Sequence, residues 1–492
     1  MKLRSLPPET LSDDELEQIT QAAVRVARQV PLRIGGASAG GREGNYTDQV
    51  LAALREHGCE TVGNERVLFP DAVIDDLMER IARHKAAAST DPYIPPDTLS
   101  YSASGQALWC CDISDDSIRP ATVQDQADLS RVVDAIEGLG RAHPTFLPQD
   151  VPVSAVDVNA FATIILNSSQ PYRVSVYNAD HLPHFIELDT LARGGDREAV
   201  LKNPTFAAKC WFNSPFMITG ENIDIGMKAR ELMGKPFEVS TMPVAGAATP
   251  VTLAGCLVQA TAEVLQCNVL SLAVDGRLMG WAAGPLVIDP RTGSHTQSGP
   301  AVLLLLLGAR QVSRHLFGGG LVAPGGPTTA AKVPGAQSMM EKSLQTCWAI
   351  MGGTRSFGSL ATLAVADIGS IVQLMLDLEM MKHFERLLRG ITVDADTLAE
   401  QVIIEVAPRG AYFVGEEHTA HHFRTELWLP ELVDAQVPMA WVQNPKTMLE
   451  SARAKALRLV ETAENKCPLT DEQRRQVAEI VADAERVQGA RR

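Results

Sequence analysis

Three stretches of this 492-residue chain hold residue types at spacings that could do chemistry. The first is YNADHLPHF, where His181 and His184 stand three apart and on one helical face could bind a metal. No third ligand of matching character lies nearby, and two histidines bonding backbone at a helix start are the plainer alternative. The second is EEHTAHHFRTE, with Glu416, Glu417, His418, His421, His422, Arg424 and Glu426. His418 and His422 are four apart and share a helical face, as metal ligands or as part of a solvated, ion-paired helix start. The third, Val244 to Thr249, is nearly free of chemistry. Gly246 and three alanines leave little bulk above its backbone, so a large flat ligand or a partner could approach closely; tight packing would use the same residues. There is no HExxH, CxxC, P-loop or GxGxxG after a strand.

The elements that would position these groups alternate. Phe237 to Met242 reads as a strand between Pro236 and Pro243, followed by the small-residue loop. Thr249 is the expected cap and Pro250 the first-turn proline of a helix from Val251 to about Ala273. That helix is apolar almost all round and should be buried. Further strands are expected at Pro144–Pro148, Tyr172–Tyr177, Phe206–Asn213, Leu278–Ala283, Gly318–Pro324 and Gly352–Gly358, each joined to the next through a helix, with an eighth at Ala107–Asp112. The expected fold is α/β: a TIM-type (β/α)8 barrel over residues 119–390. An N-terminal helical extension with an aromatic loop covers 1–118, and a C-terminal helical extension covers 391–492. In such a barrel the active groups sit on loops that follow strands. The irregular segment from Asp91 to Asp116, with Tyr93, Tyr101 and Trp109, is either a packed hairpin or a cover that presents rings to a pocket.

A formal net charge of −15 speaks against nucleic acid as a partner and suits a small cationic substrate or simple solubility. The opening MKLRSLPPETLSDDELEQI has no apolar run of secretory length. The apolar run Ala301–Ala309 is too short to span a bilayer, so no membrane association is expected. Eight cysteines in so long a chain are no disulfide framework. The expected address is the cytoplasm, and a homo-oligomer is the expected state.

Several motifs, in order, resemble the trimethylamine:corrinoid methyltransferase family, including members without pyrrolysine. They are YNADHLPHF, FNSP at Phe212–Pro215, MPVAGAATPVTLAG with QATAEVL at Met242–Leu265, KVPGAQSMMEKSL at Lys332–Leu344, LLRGI at Leu387–Ile391 and GEEHTAHHFRTELWLPEL at Gly415–Leu432. The resemblance implies a barrel that moves a methyl group from an amine to Co(I) of a corrinoid (cobalamin) carried on a partner protein. Because every residue is a standard one, members acting on quaternary amines such as glycine betaine are the nearer comparison. A permanent cation calls for aromatic faces and a carboxylate. With that substrate in view, Tyr93, Tyr101, Trp211, Phe212 and Phe357 are candidate substrate-binding rings, and His181, Glu263 and His418 are candidate catalytic residues, Glu263 as countercharge. The loop Gly246, Ala247, Ala248 and Thr249 is the candidate corrinoid contact, and no metal site is assigned. A metal-dependent barrel enzyme of another mechanism and a non-catalytic onium-binding barrel are the alternatives. The chain departs from the family's motifs at VDGRLMGWAAGP, GGPTTAAKV and PELVDAQ.

Overall fold

The computed structural model describes residues 9–36, 44–63, 65–87, 98–139, 145–170, 173–319 and 326–489. Tyr93, and the expected strand at Gly318–Pro324 from residue 320 onward, lie outside them.

Ser12 opens helix α1 (Asp13–Gln29) through the expected capping box with Glu15. Strand β1 (Leu32–Ile34), α2 (Thr47–Glu56), β2 (Glu60–Val62), β3 (Arg66–Leu68) and α3 (Asp71–Ala87) follow. The helical pattern expected here is thus joined by three strands too short to leave a period-two signal.

The central part contains β4 (Ser100–Ala103), β5 (Trp109–Cys111), β6 (Ile118–Pro120), α4 (Val123–Ala135), α5 (Val156–Asn167) and β7 (Val174–Ser175). Next come α6 (Leu182–Ala192), α7 (Arg197–Lys202), β8 (Phe206–Ala207), β9 (Cys210–Phe212), β10 (Met217–Ile218), α8 (Gly220–Met233), β11 (Val239–Thr241) and β12 (Val244–Ala245). They are followed by α9 (Leu253–Asp275), β13 (Leu286–Ile288), β14 (His295–Thr296), α10 (Pro300–Phe317), α11 (Ala336–Met351), β15 (Ser356–Leu360), β16 (Thr362–Leu363), β17 (Ile368–Gly369) and α12 (Ile371–Arg389).

The architecture is mixed α/β. Strands β7 and β8, β9 and β11, and β12 and β13 pair in parallel through the helices between them. Single parallel bridges join Ala107 to Phe146 and Thr241 to Ala283. Strand β4 pairs in parallel with β15, bringing Tyr101 opposite Phe357. Among the described residues these ladders form separate sheets of two to four strands.

Two local expectations are corrected. Leu278–Ala283 is not a strand. The Asn268 side chain accepts from the amides of Met279 and Gly280 and donates to the Gly280 carbonyl, taking the bonds a ladder would need, and the sheet resumes at β13. Helix α9 starts at Leu253, because the amides of Ala247, Ala248 and Thr249 all turn back to the Val244 carbonyl and close the loop on itself first.

Helix α9 is the axis of one core, wrapped by α1, α2, α3 and α10. Among the described residues it alone is long and apolar enough to cross a membrane, and 78% of that window is buried inside the protein. A second core gathers α4, α5, α6 and α12 under the last two helices, α16 (Met448–Thr462) and α17 (Asp471–Gly489). Between α12 and α16 the chain forms an exposed arm with α13 (Glu400–Val406), α14 (Glu417–Glu426) and α15 (Pro438–Trp441).

Candidate active site

Side chains alternate across a strand, and β9 and β11 show it. Cys210, Phe212, Val239 and Thr241 are buried; Trp211 is exposed, and Ser240, its register neighbour, is half-buried. The buried set packs into the core around α9, so Trp211, Ser240 and, two residues on, Met242 share the face turned away from the helices. On β7 the same alternation puts Tyr177 opposite Val174 and Val176. Tyr177 is 40% accessible, yet burial, with the Asp157 charge adding, pushes its phenol pKa up. That combination fits a ring lining a recess rather than the outer surface. Just beyond Met242, Gly246 and Ala247 are exposed. Gly246 sits at φ +85°, and a Cβ there would stand 2.8 Å from Ile288 Cγ2, so glycine alone keeps this turn flat.

Glu263 holds the turn from beneath. Fully buried on α9, it accepts from Thr241 Oγ1 at 2.6 Å, Ser214 Oγ at 2.7 Å, Gln259 Nε2 at 3.0 Å and the Phe216 amide at 3.5 Å. Gln259 Nε2 also donates to the Ala248 carbonyl at 2.9 Å, tying the carboxylate to the small-residue loop. Burial pushes the Glu263 pKa up from 4.5, against the four donors. The folded state therefore binds more protons than the unfolded state from pH 4.5 up to the raised value, so this group's contribution to stability falls as pH rises through that window. Urea unfolding from pH 4 to 8 should show this decline, and Glu263→Gln should flatten it; an unchanged slope in the variant would assign the decline to other groups.

His181 is also buried. Its Nδ1 lies 2.8 Å from Asp157 Oδ1, while Asp157 Oδ2 accepts from the Tyr177 amide at 3.0 Å. The pair thereby fixes the end of β7 but has no accessible edge. His184 Nε2 lies 3.1 Å from Asp483 Oδ2 on α17, so the two histidines separate in role. The His418 ring lies 4.4 Å from that of His422, tilted by 40°, and with Asp396 the three donor atoms lie within 4.8 Å of one another on the arm.

Of the expected rings among the described residues, only Trp211 is on the open face. Tyr101 and Phe357 are buried in the core under α12, and Phe212 in the core around α9. Burial and Glu385 push the Tyr101 phenol up to about 12. Tyr177 and Met242, which are not among the expected residues, join the candidate face; Met242 follows β11 by one residue and Tyr177 follows β7 by two, each on the outward phase of its strand, a signal that the strand pattern carries. Glu263 is a scaffold of the loop rather than an open countercharge, because its lone pairs are already taken by protein donors.

An α/β chain with an accessible aromatic face beside a side-chain-poor turn has the parts of a small-molecule enzyme. The profile of the family described as trimethylamine methyltransferase (MTTB) matches residues 4–488. The chain belongs to that family and is a methyltransferase. It is 23% identical over 457 residues to trimethylamine methyltransferase MttB of Desulfitobacterium hafniense, covering 92% of this chain and 89% of that one. To the glycine betaine methyltransferase of the same species it is 21% identical over 451 residues, 90% of this chain and 91% of that one. To the MttB of Methanosarcina thermophila it is 26% identical over 285 residues, 58% of each chain.

Proposed function

We propose that this protein moves a methyl group from a quaternary, betaine-like amine to Co(I) of a corrinoid protein, on the carboxyl-end face of a (β/α)8 barrel. The parallel pairing of successive strands, and of β4 with β15, supports the barrel. Because β4 lies ahead of residue 119, the barrel would begin near Ser100, between helical N- and C-terminal parts. The observation that carries the reading is the accessible Trp211–Met242 face next to the flat Gly246–Ala247 turn, in a chain of this family.

The chemistry balances without a proton. A reduced corrinoid carrier would supply the electron pair for the new bond to the methyl carbon, and the pair of the broken C–N bond would leave on a neutral tertiary amine. The loop amides are engaged with Val244 and Thr249 carbonyls, so the turn offers a smooth surface for a carrier's corrinoid face rather than donors. The protein's part is then to orient the N-methyl axis and exclude water. Trp211 and Tyr177 supply aromatic faces for the cation, and Glu263 acts as a positioning residue through Gln259 and Ala248.

Lys209 supplies the carboxylate contact of a betaine. It lies two residues before Trp211 on the same face, roughly 7 Å along the strand. Among the described residues its ammonium has no hydrogen-bond or ion-pair partner. Lys209→Ala should raise KM for carboxylate-bearing quaternary amines about tenfold or more and leave tetramethylammonium unaffected; equal losses for both would remove Lys209 from the site. The parent reading is tested by following Co–CH3 formation spectroscopically with reduced cobalamin and a panel of quaternary amines. Ligand binding with no methyl transfer across the panel would instead support an onium-binding barrel.

A further inference from the structure

Helix α14 carries His418 and His422 four residues apart, so the two rings share one face. Asp396 joins them from an earlier turn of the arm, and one donor atom from each of the three lies within 4.8 Å of the others. That turn is itself fixed. Asp394 Oδ1 accepts from the Asp396 amide at 3.0 Å, the Thr397 amide at 2.8 Å and the Thr397 hydroxyl at 3.0 Å, which holds Asp396 toward the helix.

Two details separate this cluster from an ordinary surface ion pair. His422 Nε2 lies 3.2 Å from Asp396 Oδ2, yet no hydrogen bond is aligned between them. Two ligand atoms on one tetrahedral zinc, each about 2.0–2.1 Å from the metal, stand roughly 3.3 Å apart and aim at the ion instead of at each other. His418 Nε2 is closed off from solvent and has no hydrogen-bond partner among the described residues. A buried polar atom left without a partner calls for an explanation, and an ion is one. The charge around the site also suits a cation. Asp394 lies within electrostatic range of His422, while the basic side chains near the helix are engaged elsewhere, Arg409 with Glu416 and Arg424 over the Phe423 ring.

The arm has need of a tie. Of residues 391–442, only Val406 and Leu432 are buried, and no cysteine falls among them to form a disulfide. Segments with so little core are held by covalent or metal staples. We propose that Asp396, His418 and His422 bind one divalent transition-metal ion, zinc by their chemistry, which staples the 394–397 turn to α14. Two imidazoles and a carboxylate suit zinc and its neighbours better than Mg2+ or Ca2+, and three protein ligands leave the fourth position to water. The ion has a structural role and takes no part in methyl transfer, so the inference stands independently of that reading.

The test strips the full-length protein with a chelator, dialyses it and titrates it with Co2+ and with Zn2+. The expected result is one ion per chain with a Kd of about 1 µM or below, a visible cobalt spectrum that zinc abolishes, and no response to Mg2+ or Ca2+. Hydrogen exchange at the amides of 394–397 and 417–426 should slow when Zn2+ binds. His418→Ala and His422→Ala should each weaken binding about 100-fold or more, and Asp396→Asn about tenfold. His421→Ala is the control, because that ring turns to Glu417 at 3.8 Å and should leave binding unchanged. Asp396→Asn, on an exposed turn, keeps the test open if a helix variant fails to fold by far-UV circular dichroism. Less than one ion per chain, binding that survives both histidine variants, an equal loss in His421→Ala, or binding that leaves exchange in the arm unchanged would each overturn the proposal.

Discussion

Replacing Asp377 by alanine is expected to cost about 3–5 kcal/mol of stability, the range for breaking a buried ion pair by removing one partner. Asp377 and Lys342 are both fully buried, with Nζ 2.7 Å from Oδ2. Burial pushes the lysine pKa down and the aspartate up, and their contact opposes both shifts. The same carboxylate accepts from the Ala361 amide at 2.9 Å and from Gln373 Nε2 at 2.8 Å. Without it Lys342 keeps, among the described residues, only the Ser359 carbonyl at 3.4 Å.

The damage should be directional. Ser359, Ala361, Ala364 and Val365 all have positive φ, of 61°, 69°, 49° and 71°. Each is strained for a residue with a Cβ and persists because its surroundings hold it. Asp377 is one of those holds, so hydrogen exchange in Asp377→Ala should rise first in residues 359–365. Urea denaturation gives the total. Lys342→Met with Asp377→Leu, which leaves no unpaired charge, should recover most of the loss; failure of the double variant to recover would show that the loop bonds, not the charge pair, carry the stability.

The second large effect concerns the ligand. Trp211→Ala should weaken binding of a quaternary ammonium by roughly 30-fold, since a desolvated cation–π contact is worth about 2 kcal/mol. The ring is 41% exposed on an otherwise intact strand, so folding should change little. Calorimetric titration with glycine betaine and with its carbon isostere, in which an uncharged quaternary carbon replaces the ammonium nitrogen and the carboxylate is kept, separates the cation from its shape. If the variant loses affinity equally for both, Trp211 acts as a wall rather than as a partner of the cation. Phe212→Leu, by contrast, should lower stability and leave the ligand's affinity as it was, because that ring belongs to the core around α9.

These two outcomes turn on neighbouring residues of one strand, and they show how far a linear reading reaches. Both Trp211 and Phe212 are aromatic and both follow the same apolar pattern. Residue type proposes each as a cage ring equally well. Only the pairing of β9 with β11, and the position of α9 behind them, decides that one faces the open side and the other the core. Tyr101 and Phe357 are likewise register partners, and both rings lie buried in the core under α12.

Sequence alone determined the helices that carry their own signals. Pro300–Phe317 and Ala336–Met351 fall where the apolar period and flanking glycine or proline put them, and the motif series already indicated the family. The flat turn at Gly246 was legible too, since absence of side chains is a local property. Tertiary structure decided what depends on two distant segments meeting. It gave Glu263 donors from Ser214 and Thr241, 49 and 22 residues away, and made it a brace instead of an open charge. It set His181 against Asp157 and His184 against Asp483, giving separate carboxylate partners to two rings that still meet edge to face at 6.0 Å. Spacing fixes which side chains share a face; what that face meets is set by long-range packing, which no local pattern encodes.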